Sequence, residues 1–434
     1  MGSLRLARHA VATCLLATAF AASSAHASQG VQPKSAEAFR DSVGVSTHIV
    51  YYSTAYGNWP LLVDRLQELG IRHLRDGTYA NPGPQWAKWN ERYYQAVEYA
   101  ADRGLRFNFG LGSPGYQAGT LDQLIAVVAG RLRRAAEAVE GPNEFDKFRG
   151  GRRWPSVLAS YSRELYRKVK ANPSLRSLPV VGPSIVAPNG PSKVGNQSAW
   201  LDRGNIHPYA GGASPNPLWI AAERERISKI SGREPIWATE AGFHNAVHAR
   251  SGMPPTSEAA AAVYTLRTVL EHFKSRIART YLYELVDTVP DPRHTDPNAN
   301  FGLLRNDYSR KPAYTALKNL LALAGDERRR SALRPLRLEI GRPGMGIRHL
   351  LVQKADGTYV LALWRLASVW DRDRRHPLKV GPRGVTVRIP RAARVAVADP
   401  VASARLRPLR LRRGAVRVHL AGRPLLLQIT PKRR

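Results

Sequence analysis

Residues 139–148 read VEGPNEFDKF, and the fold turns on how this stretch is read. An apolar run, Ala136–Glu140, breaks at Gly141-Pro142 and delivers Asn143 and Glu144 directly behind the turn. Most loop glutamates are simply solvated. The reading changes if Ala136–Glu140 is one strand of a barrel, because the turn then lies at its mouth. Outward from this point, short apolar runs alternate with amphipathic stretches, the pattern of βα units around a parallel sheet. Before it come strands predicted at Val43–Val50, Ile71–Arg75 and Leu105–Leu111. The intervening helical faces are Leu61, Leu62, Leu66 and Leu69, ended by Gly70, then Trp86–Ala101 and Leu121–Leu132. After it come strands at Leu178–Ile185, Gly204–His207, Pro235–Thr239 and Thr280–Leu285, with helices over Val157–Val169, Leu218–Ile230, Glu258–Phe273 and Ala313–Leu323. Eight such units in roughly 290 residues is the arithmetic of an α/β fold, the (β/α)8 (TIM) barrel.

In such a barrel the chemistry sits at the C-terminal ends of the strands. The fourth strand ends in Asn143-Glu144. The seventh, in EPIWATEAGF at residues 234–243, ends in Thr239-Glu240. Strands four and seven lie on opposite sides of the ring, so their carboxylates face each other across the mouth. Glycosidic bond cleavage needs such a pair: separations of about 5–5.5 Å imply retention through a covalent intermediate, and about 6.5–9.5 Å imply inversion.

From Leu333 onward the helical period vanishes. HLLVQKADGTYVLALWRL reads as two strands around Asp356-Gly357, and GVTVRIP, ARVAVADP, AVRVHLAG and PLLLQIT follow with alternating apolar residues. That pattern predicts an antiparallel β-sandwich without chemical residues of its own. The expected organisation is an export signal over 1–27, a barrel over 28–326 and a basic sandwich over 327–434. Arg5 and Arg8 precede an apolar run from Val11 to Ala22, and Ala25-His26-Ala27 has the form of a signal peptidase site. The protein is therefore expected outside the cytoplasm, extracellular or periplasmic. Nothing later is long and apolar enough to span a bilayer. The single cysteine, Cys14, falls inside the signal, which excludes disulfides and thiol chemistry from the mature chain.

The formal net charge is +33, and residues 328–434 carry 27 Lys+Arg against 5 Asp+Glu, a local +22. An arginine-rich coding bias and attraction to a polyanion both account for it. No phosphate loop, Gly-x-Ser-x-Gly elbow or His-Glu-x-x-His motif is present. The pair His244 and His248 lacks a third ligand and reads as a loop.

GPNE behind strand four and TEAG at the end of strand seven resemble the acid/base and nucleophile signatures of the retaining (β/α)8 glycoside hydrolases of the 4/7 superfamily, clan A. NIHPYA resembles a His-x-Tyr element of those enzymes, and the C-terminal segment resembles the accessory β-domain of families 39, 30 and 79. The nearest groups are family 39 and the family 5-like enzymes. The resemblance implies Glu144 as general acid/base, Glu240 as nucleophile and Asn143 as a hydrogen-bonding partner of the sugar 2-hydroxyl.

An acid working near neutrality needs a raised pKa, which partial burial and a second carboxylate supply. A nucleophile must stay ionised, helped by donors such as His207, Tyr209 or Arg75. Arg75-Asp76 reads equally well as a self-satisfied ion pair. His48, at the first strand tip, is a candidate subsite donor. Trp86 belongs to an aromatic group with Tyr51, Tyr52, Tyr56, Trp59, Tyr79 and Trp89, suited to stacking on sugar rings. Glu284 and Asp287 are further candidates to line the cleft. The expected partner is a glycan substrate, with acidic polysaccharide as one form of it. No cofactor, metal or specific nucleic acid is expected, and the chain reads as a monomer. The rival reading is a non-catalytic secreted protein that binds carbohydrate or polyanion on a glycosidase-like barrel.

Overall fold

The computed structural model describes residues 30–115, 118–148, 151–330, 332–341 and 346–432. The segment read as an export signal, with Cys14, lies outside these residues. After a two-residue strand, β1 (Lys34–Ser35), eight parallel strands follow: β2 (Val43–Ser46), β3 (His73–Gly77), β4 (Arg106–Gly110), β5 (Ala136–Glu140), β6 (Val180–Val181), β7 (Gly204–Ile206), β8 (Ile236–Ala241) and β9 (Ile277–Leu282). They pair in the order β6-β5-β4-β3-β2-β9-β8-β7, and a parallel bridge between Val181 and Arg203 joins the two ends into a ring.

Helices alternate with these strands as the apolar periodicity predicts. The helix Trp59–Leu69 buries Leu62, Val63, Leu66 and Leu69 and stops at Gly70, whose φ of 76° only glycine adopts without cost. Thr120 and Gln123 form a capping box that starts Leu121–Ala129.

Two strands are shorter than the apolar runs suggest. Leu178–Ile185 supplies only β6, because Gly182-Pro183 ends the ladder where proline has no N–H to give. The run Val43–Val50 leaves the sheet after Ser46, where the Asp76 carboxylate takes the Thr47 hydroxyl at 2.6 Å and the Ile49 amide at 3.0 Å.

Inside the ring, Ala138, Val181, Trp237 and Tyr281 close an apolar layer. Two residues further along β5 and β8 the same face carries Glu140 and Thr239, so the interior turns polar toward the strand C-termini.

The C-terminal strands are β10 (Glu339–Ile340), β11 (Ile347–Gln353), β12 (Tyr359–Arg365), β13 (Trp370–Asp371), β14 (His376–Pro377), β15 (Arg383–Arg388), β16 (Ala392–Ala398), β17 (Arg407–Leu409), β18 (Ala415–Leu420) and β19 (Leu425–Pro431). One sheet runs β1-β11-β12-β19-β16-β17 and a second runs β10-β15-β18. Leu351, Leu361, Leu363 and Leu427 meet Val385, Val387, Val416 and Val418 between them. The other face of the larger sheet, with Leu350, Val352, Val360 and Trp364, shares a core with barrel residues such as Leu266, Leu270 and Leu317. Burial on both faces explains why this hairpin reads as a continuous apolar run.

The junction is polar at its centre. Buried Glu271 accepts from Arg348 Nε and from Trp364 Nε1, at 2.9 and 2.8 Å. The first described residues also belong to this sheet: β1 pairs with β11, and Val31 bridges Leu336. The chain therefore leaves a strand in the C-terminal sheet before entering the barrel, a two-residue element with no periodic signal.

Candidate active site

The turn after β5 places Glu144 at φ 42°, in the left-handed region. Its amide donates to Ser184 Oγ at 2.9 Å, which helps hold a conformation costing an ordinary residue about 1–2 kcal/mol. β8 carries Thr239 and Glu240 to its end. Glycine follows at 242 because a Cβ there would lie 2.2 Å from the Tyr283 carbonyl oxygen. Both glutamates line one cavity of about 1080 Å³, together with His48, Arg75, Asn143, His207 and Tyr209. A carboxylate oxygen of Glu144, one of Glu240 and a ring nitrogen of His207 all lie within 4.8 Å of one another.

The two carboxyls have different surroundings. Arg75 Nη1 donates to Glu240 Oε1 at 2.6 Å, and the Tyr209 hydroxyl donates to Oε2 at 2.7 Å. Burial works to raise the Glu240 pKa, but His207, Arg75 and the Tyr209 hydrogen bond outweigh it and hold the group at about 2. Burial and the neighbouring Glu240 push the Tyr209 phenol well above its usual value, so it stays a donor.

Glu144 Oε1 sits 3.0 Å from His207 Nδ1, and Oε2 accepts from Lys147 Nζ at 3.1 Å. Here too burial acts upward, yet His207 and Lys147 leave Glu144 below its ordinary pKa. The expectation of a raised acid is therefore reversed in the free protein. The His207 contact and the Lys147 charge, absent from that argument, exceed the effects of burial and of Glu240. Lys147 was not singled out in the sequence. Its signal is the i, i+3 spacing from Glu144 across the short helix Phe145–Phe148.

Arg75 is not paired with Asp76. Its Nε and Nη2 fork onto Glu140 at 3.0 and 2.8 Å, and Nη2 also donates to Asn143 Oδ1 at 2.8 Å. Glu140 is 0% exposed and also accepts from Asn205 and Thr239, at 3.1 and 3.0 Å. A buried guanidinium between two carboxylates with its donors satisfied is a rigid positive centre. Glu140 is not among the candidate site residues read from the sequence. Its position two residues after inward-facing Ala138 is the signal that places it inside the ring. His207 stands between Glu144 and Thr239, its Nε2 3.0 Å from Thr239 Oγ1. Glu144, His207 and Glu240 are grouped tightly enough to ligate a cation, but the fixed charge of Arg75 against Glu240 disfavours one there.

His48 lines the same cavity, with Nε2 3.1 Å from the Tyr283 hydroxyl, and burial lowers its pKa to about 4. Trp86 does not line this cavity. It stands in an adjoining groove, 41% exposed. Glu284 and Asp287 do not line it either. Glu284 is buried under the Tyr56 hydroxyl at 3.1 Å, and Asp287 pairs with Lys311 at 2.8 Å. His244 lines the cavity while its Nε2 lies 2.7 Å from the Met253 carbonyl oxygen.

No protein-family model matches the chain, and no curated protein matches it. Its structure does match solved ones. A glycoside hydrolase family 39 enzyme from Xanthomonas axonopodis pv. citri aligns at 17% identity with a TM-score of 0.56, covering 93% of this chain and 96% of that one. A monomeric β-xylosidase from Caulobacter crescentus aligns at 16% identity and 0.56, covering 93% and 98%. A 4-O-α-L-rhamnosyl-β-D-glucuronidase from Fusarium oxysporum aligns at 14% identity and 0.60, covering 93% and 97%. The chain has the fold of the clan A glycoside hydrolases, barrel and C-terminal β-sheets together.

Proposed function

We propose that the protein is a retaining glycoside hydrolase that cleaves O-glycosidic bonds by double displacement. The observation that carries this reading is the pair Glu144 and Glu240, brought from opposite strands to within 4.8 Å, with one of the two held ionised. So close an approach of their oxygens favours the retaining geometry over the wider spacing that inversion requires.

In the first step Glu240 attacks the anomeric carbon, the bond to the leaving oxygen breaks, and Glu144 gives that oxygen its proton. The product is a glycosyl ester of Glu240. In the second step Glu144, now a carboxylate, takes a proton from water. The resulting hydroxide attacks the same carbon and frees the Glu240 carboxylate. Arg75 and Tyr209 keep Glu240 charged before attack and stabilise it as leaving group. Asn143, oriented by Arg75, supplies an amide to the sugar 2-hydroxyl. The export-signal reading of residues 1–27 supports a substrate outside the cytoplasm.

The fold-level relatives include a β-xylosidase and a glucuronidase, so the fold supports glycoside hydrolysis and leaves the sugar open. The test is hydrolysis of a panel of aryl glycosides and polysaccharides, with the anomeric configuration of the first-formed product read by NMR. Retention supports the reading. An inverted product, or no turnover on any glycoside, overturns it.

A further inference from the structure

Beside the catalytic cavity runs a second depression of about 900 Å³, over the loops that follow β2, β3 and β4. The two share Tyr51, Tyr79 and Ser113, so the groove continues the cleft. Its outer wall is Trp86, at the end of the short helical turn Pro84–Trp86 that leads into the helix Ala87–Asp102. Trp86 meets Trp89 edge-on with ring centroids 5.9 Å apart, and Trp89 in turn packs edge-on against Tyr79 at 5.3 Å. The Trp86 ring is thus braced from behind while two-fifths of its surface stays open. Large exposed apolar side chains are few, and Tyr51, at 45%, is another beside the same groove.

The lining is also uncharged. In a protein of net charge +33, no Lys, Arg, Asp or Glu lines this groove among the described residues. Its polar groups are amides and hydroxyls, among them Asn81, Gln85 and Gln123. A braced aromatic face with neutral donors and acceptors around it suits a pyranose ring, whose C–H face stacks and whose hydroxyls hydrogen-bond. A carboxylate-bearing sugar finds no cation there.

We propose that this groove is a distal subsite for a neutral sugar unit, and that the protein acts on oligo- or polysaccharide chains in preference to single-sugar glycosides. The proposal rests on the glycoside hydrolase reading for its link to turnover, but the binding can be measured separately.

The full-length Glu240→Gln protein is titrated with cello-, xylo-, laminari- and mannohexaose and with the matching disaccharides, read by tryptophan fluorescence. A hexagalacturonate serves as the charged control. At least one neutral hexasaccharide is expected to bind more tightly than its disaccharide. Adding Trp86→Ala is expected to weaken the hexasaccharide about tenfold and leave the disaccharide unchanged, with Trp86→Phe recovering much of the loss.

In the active protein, Trp86→Ala is expected to raise KM for the long substrate and leave kcat/KM on an aryl monoglycoside as it was. Equal losses at all lengths, tighter binding of the galacturonate, or no neutral hexasaccharide bound overturns the proposal. Length-dependent binding through Trp86 without any turnover keeps the subsite and refutes the catalytic reading instead.

Discussion

At the barrel mouth almost every charge has an assigned partner, whereas on the C-terminal sandwich many have none. Arg75 is held by Glu140 and Glu240, and Glu144 lies between His207 and Lys147. Arg407, Arg410, Arg412 and Arg413 are exposed and make no ion pair among the described residues. The contrast is physical. Burial makes an unpaired charge costly, so the mouth has to be electrically complete. Exposed arginines cost little, so the sandwich surface tolerates an excess. Composition alone therefore does not locate the candidate site in this chain: the basic quarter dominates the net charge, and the carboxylates clustered around Arg75 and His207 sit in the barrel.

The largest expected effect lies at the mouth. Replacing Glu240 by Gly removes the proposed nucleophile and is expected to cut turnover by several orders of magnitude, while added azide is expected to restore part of it as a glycosyl azide of inverted configuration. If the variant keeps more than about a tenth of wild-type turnover on a verified substrate, catalysis does not depend on Glu240 and the assignment is wrong.

Glu144→Ala separates acid from base assistance. Native glycans are expected to lose about 10²–10⁴-fold in the first step, and dinitrophenyl glycosides, whose leaving group needs no proton, far less. Equal losses on both would make Glu144 structural. Asp146 would not be the replacement, because its carboxylate ties down the Val186 and Ala187 amides.

A third effect is smaller and concerns pH. As the proposed nucleophile, Glu240 has to be ionised, and the Tyr209 hydroxyl is one of the groups lowering its pKa to about 2. Tyr209→Phe removes a donor to the charged form, so the Glu240 pKa rises and the acid limb of kcat/KM moves to higher pH. On the proposed mechanism the alkaline limb belongs to Glu144, which has to be protonated to act as the acid. Its depressed pKa predicts an acidic optimum, and Lys147→Met, which removes a cation from the carboxylate, should carry that limb upward. A profile whose two limbs stay put in both variants would detach these groups from the titrations.

Between the two regions lies Glu271, whose burial makes it resemble the mouth rather than the sandwich surface. Glu271→Ala leaves Trp364 Nε1 without its acceptor and Arg348 without its carboxylate. Arg348 is partly exposed, so the expected cost is about 1–3 kcal/mol, seen as a lower Tm with kcat on a small glycoside unchanged. A drop in kcat at constant Tm would mean that the junction communicates with the mouth.

The eight-unit count was legible because the apolar period switches cleanly between strand and helix, and strand-end positions then led to Glu144, Glu240, His207 and Tyr209. Features that depend on three-dimensional neighbours were not. The reach of Arg75 to Glu140, the β1–β11 pairing and the approach of His207 to Glu144 leave no local pattern. The sequence offers Trp86 as one of a group of candidate stacking aromatics, and only the structure separates its groove from the cavity that holds Glu144 and Glu240. The two-sided burial of β11 and β12 hid in a run that one-sided alternation does not describe.

The smallest effect is expected on the sandwich surface itself, and it bears on whether its unpaired charge does anything. Reversing Arg407, Arg410, Arg412 and Arg413 to Glu changes exposed side chains that make no ion pair, so Tm and turnover of a small neutral glycoside should hardly move. If the surface attracts acidic glycan, the wild-type protein is retained on a polyuronate column. Its retention should fall steeply with added salt, because exposed charges are screened over about 8 Å at physiological ionic strength. The reversed protein should then elute at markedly lower salt. The same elution position for both proteins across the gradient would assign the arginine excess to coding bias and leave the mouth as the region where charge has a function.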